Sequence, residues 1–581
     1  MTMINVLTMK FAAISAAAVF VWGIASAEAK TPNVVLFMPD DIPFLWDEAP
    51  ALPQAASRSG LGTPTPWFDK IRDEGAVFQN AYTNGPMCAP SRYNLMTGRY
   101  CSRSAVAQDA SSGSLTSVTV PNCKLGTSES TESTLVSHLS ALNYTTIHSG
   151  KWHLSETPAG SPSAVWDLPY SEQEDYVKAA GFSKVAGLYM ENLSDDLDFS
   201  HNMEWLVSLS VNAIEEAHAA DSPFFLYFAP TAPHSATSIE RALFDFDARD
   251  TPSGRLESDP VTNMPSRENV WERASGFGDD ADVAAGSMWV DDALGAIYQK
   301  LVALDILDDT IIIVTMDHGM VAKQSLFATG TRTMLAARYG SLQPGTQVED
   351  IVAHVDLSAT ILDAAGGAAD EMDGESWWSL VSSTDSNNER SQGPCSVAEI
   401  NADRSVVARD VSSGKIFSLQ RKDASSARLR NVARYYPYYD DSIQLYDLTS
   451  DPSEQNNLYG MDEYSDILEQ MVAFLDCHDS DSSTGSSGSV IGATCDMRSM
   501  SPLQSVPATV APTESEKTSA PTTAQPTTSA PTNAAVDECP GYTRRRPCRQ
   551  NGCSWSRASA SCSASRRRLN RKRKMTRANA K

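Results

Sequence analysis

The stretch Cys88-Ala89-Pro90-Ser91-Arg92 has the densest chemical content in this 581-residue chain. Four specified residues in five positions would arise from composition alone about once in 10⁵–10⁶ windows. A cysteine is a candidate nucleophile for covalent catalysis. Two acidic groups stand out next. Asp40-Asp41 follows the apolar run Asn33–Met38, and Asp317-His318 follows Thr310–Met316. Taken singly, an Asp-Asp pair is most often a solvated turn. Three carboxylates converging from two strand ends would repel one another untenably without a hard cation among them. Oxygen-rich ligation favours Ca²⁺ or Mg²⁺, and the imidazole of His318 keeps Mn²⁺ in play. A histidine in an α/β domain usually has a satisfied structural role. The contexts Lys151-Trp152-His153 and Ala232-Pro233-His234 mark these two as exceptions.

Parallel strands must position such groups. The runs Asn33–Met38, Pro223–Ala229 and Thr310–Met316 are apolar without alternation, as in strands covered on both faces. Between them, Val290, Ala293, Leu294, Ile297, Tyr298 and Leu301 line one face of a helix over Met288–Leu304, and Leu135, Leu139 and Leu142 do so over Glu132–Leu142. Strands separated by helices predict a mostly parallel α/β sheet, whose ligands gather beyond the carboxyl ends of the strands. Both acidic clusters sit at such ends. Residues 238–282 read as a polar insertion with no clear period. After residue 395, the short β-prone segments Ser405–Arg409, Lys415–Leu419 and Ser442–Tyr446, then a helix over Tyr464–Leu475, predict a smaller α+β subdomain.

With these motifs in hand, the chain resembles the formylglycine-dependent sulfatases. The resemblance runs through Met38-Pro39-Asp40-Asp41, Cys88–Arg92 with Leu95-Met96-Thr97-Gly98-Arg99, and Gly150-Lys151-Trp152-His153-Leu154. It continues in Ala232-Pro233-His234, Asp317-His318-Gly319 with Lys323 and Phe327, and Leu445-Tyr446-Asp447-Leu448…Asp451-Pro452…Glu454…Asn457-Leu458. Together these span about residues 31–475, in the family's order. The resemblance implies an alkaline-phosphatase-like fold and hydrolysis of sulfate monoesters. It implies that a separate formylglycine-generating enzyme oxidises Cys88 to formylglycine, whose hydrate attacks sulfur. It assigns Asp40, Asp41, Cys88, Asp317 and His318 to a divalent metal, Ca²⁺ before Mg²⁺ or Mn²⁺. Arg92, Lys151 and Lys323 fall on positions that hold the nucleophile or the sulfate oxygens, and His153 and His234 on those near the nucleophile and the leaving group. Phe327-Ala328-Thr329-Gly330 departs from the usual Tyr-Glu-Gly-Gly, and Ala236 replaces a common Pro, so the substrate-side loops differ.

The ends of the chain have other characters. Lys10, the apolar run Phe11–Ile24 and Ala25-Ser26-Ala27 read as a signal peptide over 1–27, with no membrane span in the mature chain. A secreted, lumenal or cell-surface location follows, and the sequons at Asn143 and Asn192 fit it. The expected organisation is a catalytic domain over 31–394, the subdomain over 395–479, a Ser/Gly then Pro/Thr-rich linker over 480–535, and a disordered basic tail over 536–581. Ten cysteines in an exported chain suggest disulfides. Cys101–Cys123 and Cys477–Cys495 are local pairs, and Cys539, Cys548, Cys553 and Cys562 could form a two-bridge module. The tail holds 14 Lys/Arg against 2 Asp/Glu, a net +12, so a total of −26 leaves −38 on the remainder. So acidic a body is a poor nucleic-acid binder, and no nucleic-acid partner is expected. The resemblance implies a sulfated small molecule or carbohydrate as its partner, and the basic tail adds a polyanionic matrix as an expected partner. The rival readings are a phosphodiester or phosphonate ester hydrolase of the same superfamily and a non-catalytic polyanion-binding surface protein.

Overall fold

Every residue of β1 (Asn33–Phe37) is buried, which is why its sequence is continuously apolar. Val35 and Phe37 point into one core, with Leu226, Phe228, Ile312 and Val314. Val34 and Leu36 point into a second, with Phe225, Tyr227, Ile311 and Ile313. A strand that must fill two cores has no solvent face for polar residues. The computed structural model describes residues 31–45, 62–103, 125, 133–155, 162–382 and 395–483, less positions 236, 321, 401, 411–412, 425 and 427, together with 553–556 and 561–564. The expected signal peptide, the linker beyond its first four residues (480–483, which continue a helix) and the basic runs of the tail lie outside the described residues.

The remaining strands of the sheet are β2 (Ala76–Tyr82), β3 (Thr145–Lys151), β4 (Lys184–Tyr189), β5 (Phe224–Ala229), β6 (Thr310–Thr315), β7 (Leu335–Arg338) and β8 (Thr346–Ala353). Their order is β8-β2-β7-β6-β1-β5-β3-β4, with the two-residue strand Arg332–Thr333 added to β2. All pairings are parallel except those of β7 and of Arg332–Thr333. Flanking helices include α1 (Cys88–Thr97), α2 (Met203–Ala219), α3 (Ala281–Ala303) and α4 (His354–Ala364). Helix α3 starts seven residues before its predicted onset. Ala281, Ala284 and Ala285 extend the buried stripe upstream of Met288, and alanine is too weakly apolar to show it in sequence. The stretch 238–282 is not an unpatterned insertion. It folds into helices Ile239–Phe244 and Arg267–Ala274, whose N-caps Ser238 and Ser266 accept from the Arg241 and Asn269 amides. Helices this short carry too few turns for a period to register.

A second sheet is wholly antiparallel, β9 (Cys395–Ile400), β10 (Asp403–Arg409), β11 (Ile416–Arg421) and β12 (Ile443–Asp447) in that order. Helix α5 (Ser465–Ser483) covers it, burying Ile467, Met471, Phe474 and Leu475 against Val397, Val406, Phe417, Leu419 and Leu445. The motif after β12 is a set of clips. Asn457 Oδ1 accepts from the Leu445 amide at 2.9 Å, and Asp451 Oδ2 from those of Gln455 and Asn456 at 2.8 Å. The buried carboxyl of Glu454 accepts from Gln420 Nε2 (3.0 Å), Ser418 Oγ (3.2 Å) and the Ala328 amide (2.6 Å). It thereby ties β11 to the segment that follows Lys323. Cys88 is a free thiol, whereas Cys101 and Cys477 are disulfide-bonded. Their expected partners, Cys123 and Cys495, lie outside the described residues. The chain divides into two units, Met1–Ser505 and Val506–Lys581. In the second, Cys553–Ser556 pairs antiparallel with Ser561–Ala564. Among the described residues, no helix is long and apolar enough to cross a membrane.

Candidate active site

Strands β1 and β6 are parallel neighbours, with Phe37 opposite Val314. The chain leaving each therefore delivers Asp40-Asp41 and Asp317-His318 to one place beyond the carboxyl edge. Cys88 arrives from another direction as the first residue of α1, with Met87 at the N-cap and the whole helix buried. A helix N-terminus stabilises negative charge on a residue placed there. Arg92 follows one turn later, fully buried. Lys151 ends β3, and the adjoining Gly150 is at φ 109°, where an added Cβ would meet Ala229 O at 2.1 Å. Glycine alone lets β3 pass so close to β5. Asp41 (φ 56°), His153 (φ 58°) and Gln324 (φ 71°) hold left-handed backbone without being glycine. Such strain gathers where surrounding structure over-determines a side chain's aim.

The side chains meet in two adjoining groups. In the first, ligand atoms of Asp41, Cys88, Asp317 and His318 all lie within 4.8 Å of one another. His318 Nε2 stands 3.3 Å from Asp41 Oδ1, 3.4 Å from Asp317 Oδ2 and 3.5 Å from Cys88 Sγ. In the second, Asp40 accepts from Lys151 Nζ at 2.6 Å and from Arg92 Nη2 at 3.3 Å. Asp40 is thus engaged by cations, outside the tightest donor group. Lys323 Nζ lies against the first group, 2.7 Å from Asp41 Oδ1 and 3.3 Å from Cys88 Sγ. His234 Nε2 is 3.5 Å from Asp41 Oδ2. All ten residues singled out in the sequence come together here.

Electrostatics follow from burial and charge. Burial disfavours the Cys88 thiolate, yet Lys151 and Lys323 together with His153 and His234 hold its pKa well below the ordinary thiol value. Burial likewise opposes ionised Asp40, but the Lys151 ammonium keeps that carboxyl far below the usual carboxylate range. Asp317 goes the other way. Burial, with Asp40 and Cys88 adding negative charge nearby, pushes it up to about 7 despite His318. Its Oδ2 is buried and accepts no hydrogen bond. An orphaned carboxylate oxygen beside a second carboxylate and an imidazole nitrogen suits a divalent cation, so the residues present fit the metal that the sequence implied.

Several participants were not singled out by the sequence. Glu191, buried just past β4, pairs with His153 Nε2 at 3.0 Å. Asn192 Oδ1 accepts from Lys151 Nζ at 2.6 Å. Tyr227 on β5 accepts from Arg92 Nη1 at 3.0 Å. Ser91 Oγ, inside the cysteine motif, donates to the Asp317 carbonyl at 2.5 Å and lies 3.0 Å from His354 Nδ1. Residues 191–192 leave a strand that carries no long apolar run, so only the rule that ligands gather at strand ends could have flagged them.

A mostly parallel sheet with its polar site beyond the carboxyl ends, plus a small antiparallel sheet, defines an alkaline-phosphatase-like α/β protein. Within that class, the chain belongs to the sulfatase family. The family described as Sulfatase matches residues 32–368, and N-sulphoglucosamine sulphohydrolase, C-terminal, matches 316–480. A sulfatase of Escherichia coli K12 is 25% identical over 55% of this chain and 66% of its own length. N-acetylgalactosamine-6-sulfatase of Rattus norvegicus is 24% identical over 59% of this chain and 64% of its own. The chain thus spans about two thirds of the length of these curated relatives. The ulvan-active sulfatase of Formosa agariphila is 21% identical over 77% and 80% of the two chains. The fold matches a Bacteroides thetaiotaomicron structure from work on glycosaminoglycan metabolism, with TM-score 0.54, 16% identity and coverage of 78% of this chain and 99% of that one. It also matches a protein solved with D-glucosamine-2-N,6-O-disulfate, with TM-score 0.51, 18% identity and coverage of 78% and 99%.

Proposed function

We propose that the protein hydrolyses sulfate monoesters of carbohydrates, using a formylglycine derived from Cys88. The observation that carries this reading is the position of Cys88 Sγ, 3.5 Å from His318 Nε2 and 3.3 Å from Lys323 Nζ at the head of α1. In this reading the sulfur marks where the hydrate oxygens of formylglycine stand. One hydroxyl attacks sulfur, the ester C–O–S bridge breaks at the S–O bond, and the alcohol leaves with a proton. The second hydroxyl then loses its proton, the aldehyde re-forms and sulfate departs, so no water attacks sulfur. His153, oriented by Glu191, and His234 are the groups placed to take and give these protons. Arg92, Lys151 and Lys323 offset charge on the nucleophile and the transferring sulfuryl oxygens. Asp41, Asp317, His318 and the modified residue 88 would hold a divalent cation, with Asp40 beside them. That cation, Ca²⁺ in our assignment, lowers the pKa of an oxygen nucleophile and polarises the sulfuryl group when bound.

The substrate class draws on the relatives' names, which specify sulfated amino sugars and ulvan. The signal-peptide pattern expected over 1–27 and the two sequons support a secreted or lumenal enzyme. The decisive experiment is mass spectrometry of the tryptic peptide Asp73–Arg92 beside turnover of an aryl sulfate. An aldehyde at position 88 in active protein is expected, and an unmodified, alkylatable Cys88 in active protein would sink the mechanism. His318 favours one rival, a phosphodiester or phosphonate ester hydrolase, because an imidazole at a metal suits softer cations than Ca²⁺. Comparing aryl phosphodiester with aryl sulfate turnover separates the two.

A further inference from the structure

Asn192 belongs to two chemistries at once. In sequence it opens Asn192-Leu193-Ser194, an acceptor for N-linked glycosylation in an exported chain. In the fold, its Oδ1 accepts from Lys151 Nζ at 2.6 Å, on an ammonium that Asp40 Oδ2 also holds at 2.6 Å. The Lys151 side chain is fully buried, whereas Asn192 is exposed. The asparagine therefore stands between the buried cation and solvent. It cannot drift away, because the backbone just before it is fastened beside Lys151. The Trp152 amide donates to the Tyr189 carbonyl at 2.8 Å and the His153 amide to the Met190 carbonyl at 3.0 Å. Leu193 is buried immediately after it. A hydrogen bond to an ammonium is among the stronger and more directional polar contacts. Here it gives the ammonium a second acceptor beside Asp40.

Resting on the sulfatase reading above, we propose that Asn192 is a positioning residue for Lys151 and that its glycosylation and catalysis exclude each other. Glycosylation would form a bond from Nδ2 to C1 of a lipid-diphosphate-linked oligosaccharide. The C1–O bond to the diphosphate breaks and Nδ2 loses one proton. Because Nδ2 shares one planar amide with the Oδ1 that grips Lys151, the first sugar would sit at the mouth of the site. The second sequon, Asn143, lies just before β3 at the opposite end from Lys151 and provides the control.

Two measurements test this on the full chain co-expressed with a formylglycine-generating enzyme. The first uses a host without N-glycosylation, and the unsubstituted enzyme's aryl sulfate turnover there reports on the parent reading independently. Asn192→Ala should lower kcat about tenfold or more, as expected for losing a charge-assisted hydrogen bond. Asn192→Asp keeps the acceptor, so kcat should stay within about threefold while KM for the anionic ester rises. Ser194→Ala destroys the sequon but not the amide and should leave both constants unchanged. The second measurement secretes the protein from a eukaryotic host, separates glycoforms and maps occupancy by peptide mass. Asn192 should be bare in every active fraction, whatever the state of Asn143. Full activity of an Asn192-glycosylated fraction, or an unchanged kcat in Asn192→Ala, overturns the proposal. Should Asn192→Ala not fold, Asn192→Asp and the glycoforms still decide it.

Discussion

Cys88 is surrounded by cations and imidazoles that favour its charged form, and this sets the sharpest expectations at the scale of single residues. Cys88→Ala should abolish turnover while leaving the melting temperature nearly unchanged, since it removes one buried sulfur from an otherwise intact α1. Cys88→Ser should fail differently, stalling as a sulfated enzyme detectable by intact mass, because a single hydroxyl cannot re-form an aldehyde. The donor group of Asp41, Asp317 and His318 leads to a second expectation. Chelation should remove activity, with Ca²⁺ restoring it best, and Asp317→Ala should cost several kcal/mol of transition-state stabilisation. Near-normal rates in both Asp40→Ala and Asp317→Ala would show the metal site to be misassigned. Preferential rescue by Mn²⁺ would favour the phosphoester reading.

Elements decide whether those residues meet. Gly150 brings β3 against β5 one residue before Lys151, with room for no side chain. Gly150→Ala combines a clash with a forbidden φ and should destabilise the fold by at least about 2 kcal/mol. Urea denaturation measures this, and a loss below about 0.5 kcal/mol would contradict the packing argument. Glu454 ties β11 to the segment that follows Lys323, and burial lifts its carboxyl from 4.5 to about 8, against the hydrogen bonds from Ala328, Gln420 and Ser418 that favour ionisation. The raised group binds its proton more tightly in the folded chain than in the unfolded one. Its contribution is therefore fully present below 4.5, shrinks as the pH rises and is gone above about 8. Stability should fall across that window, and Glu454→Gln should flatten the slope. A slope unchanged in Glu454→Gln would assign the pH dependence to other groups.

At the scale of the whole molecule, a body of −38 would repel a sulfated polysaccharide at low salt. Screening lengths fall from ~10 Å at 0.1 M to ~3 Å at 1 M salt, so turnover of a sulfated polysaccharide should rise with moderate salt. The +12 tail offers a second route. Its clustered guanidinium groups suit sulfate and carboxylate, so holding a polyanionic matrix through the tail would raise the effective concentration of the site there. Truncation after Ala535 should abolish salt-sensitive retention on sulfated polysaccharide without altering turnover of a small aryl sulfate. Equal retention of the full-length and truncated proteins would leave the tail without this role.

Residue types and apolar runs alone pointed to the candidate site residues and to where the central strands run. Strands β1, β5 and β6 must fill two cores and so announce themselves as unbroken apolar runs, and the acidic clusters follow two of them directly. Strand β3 gave no such signal. Thr145, Thr146, His148 and Ser149 are polar, and the strand is buried only because β5, β4 and the helices around it supply the cover. Tertiary structure alone decided who holds whom. Asp40, adjacent to Asp41 in sequence, turns to Lys151 and Arg92, and Asn192 passes from a sequon to a ligand of Lys151. Glu191 finds His153, and His354 backs Ser91 across 263 residues. The physical reason is that motif spacing reports backbone geometry over a few residues. A hydrogen bond between strand ends depends on sheet order, which only the folded chain contains.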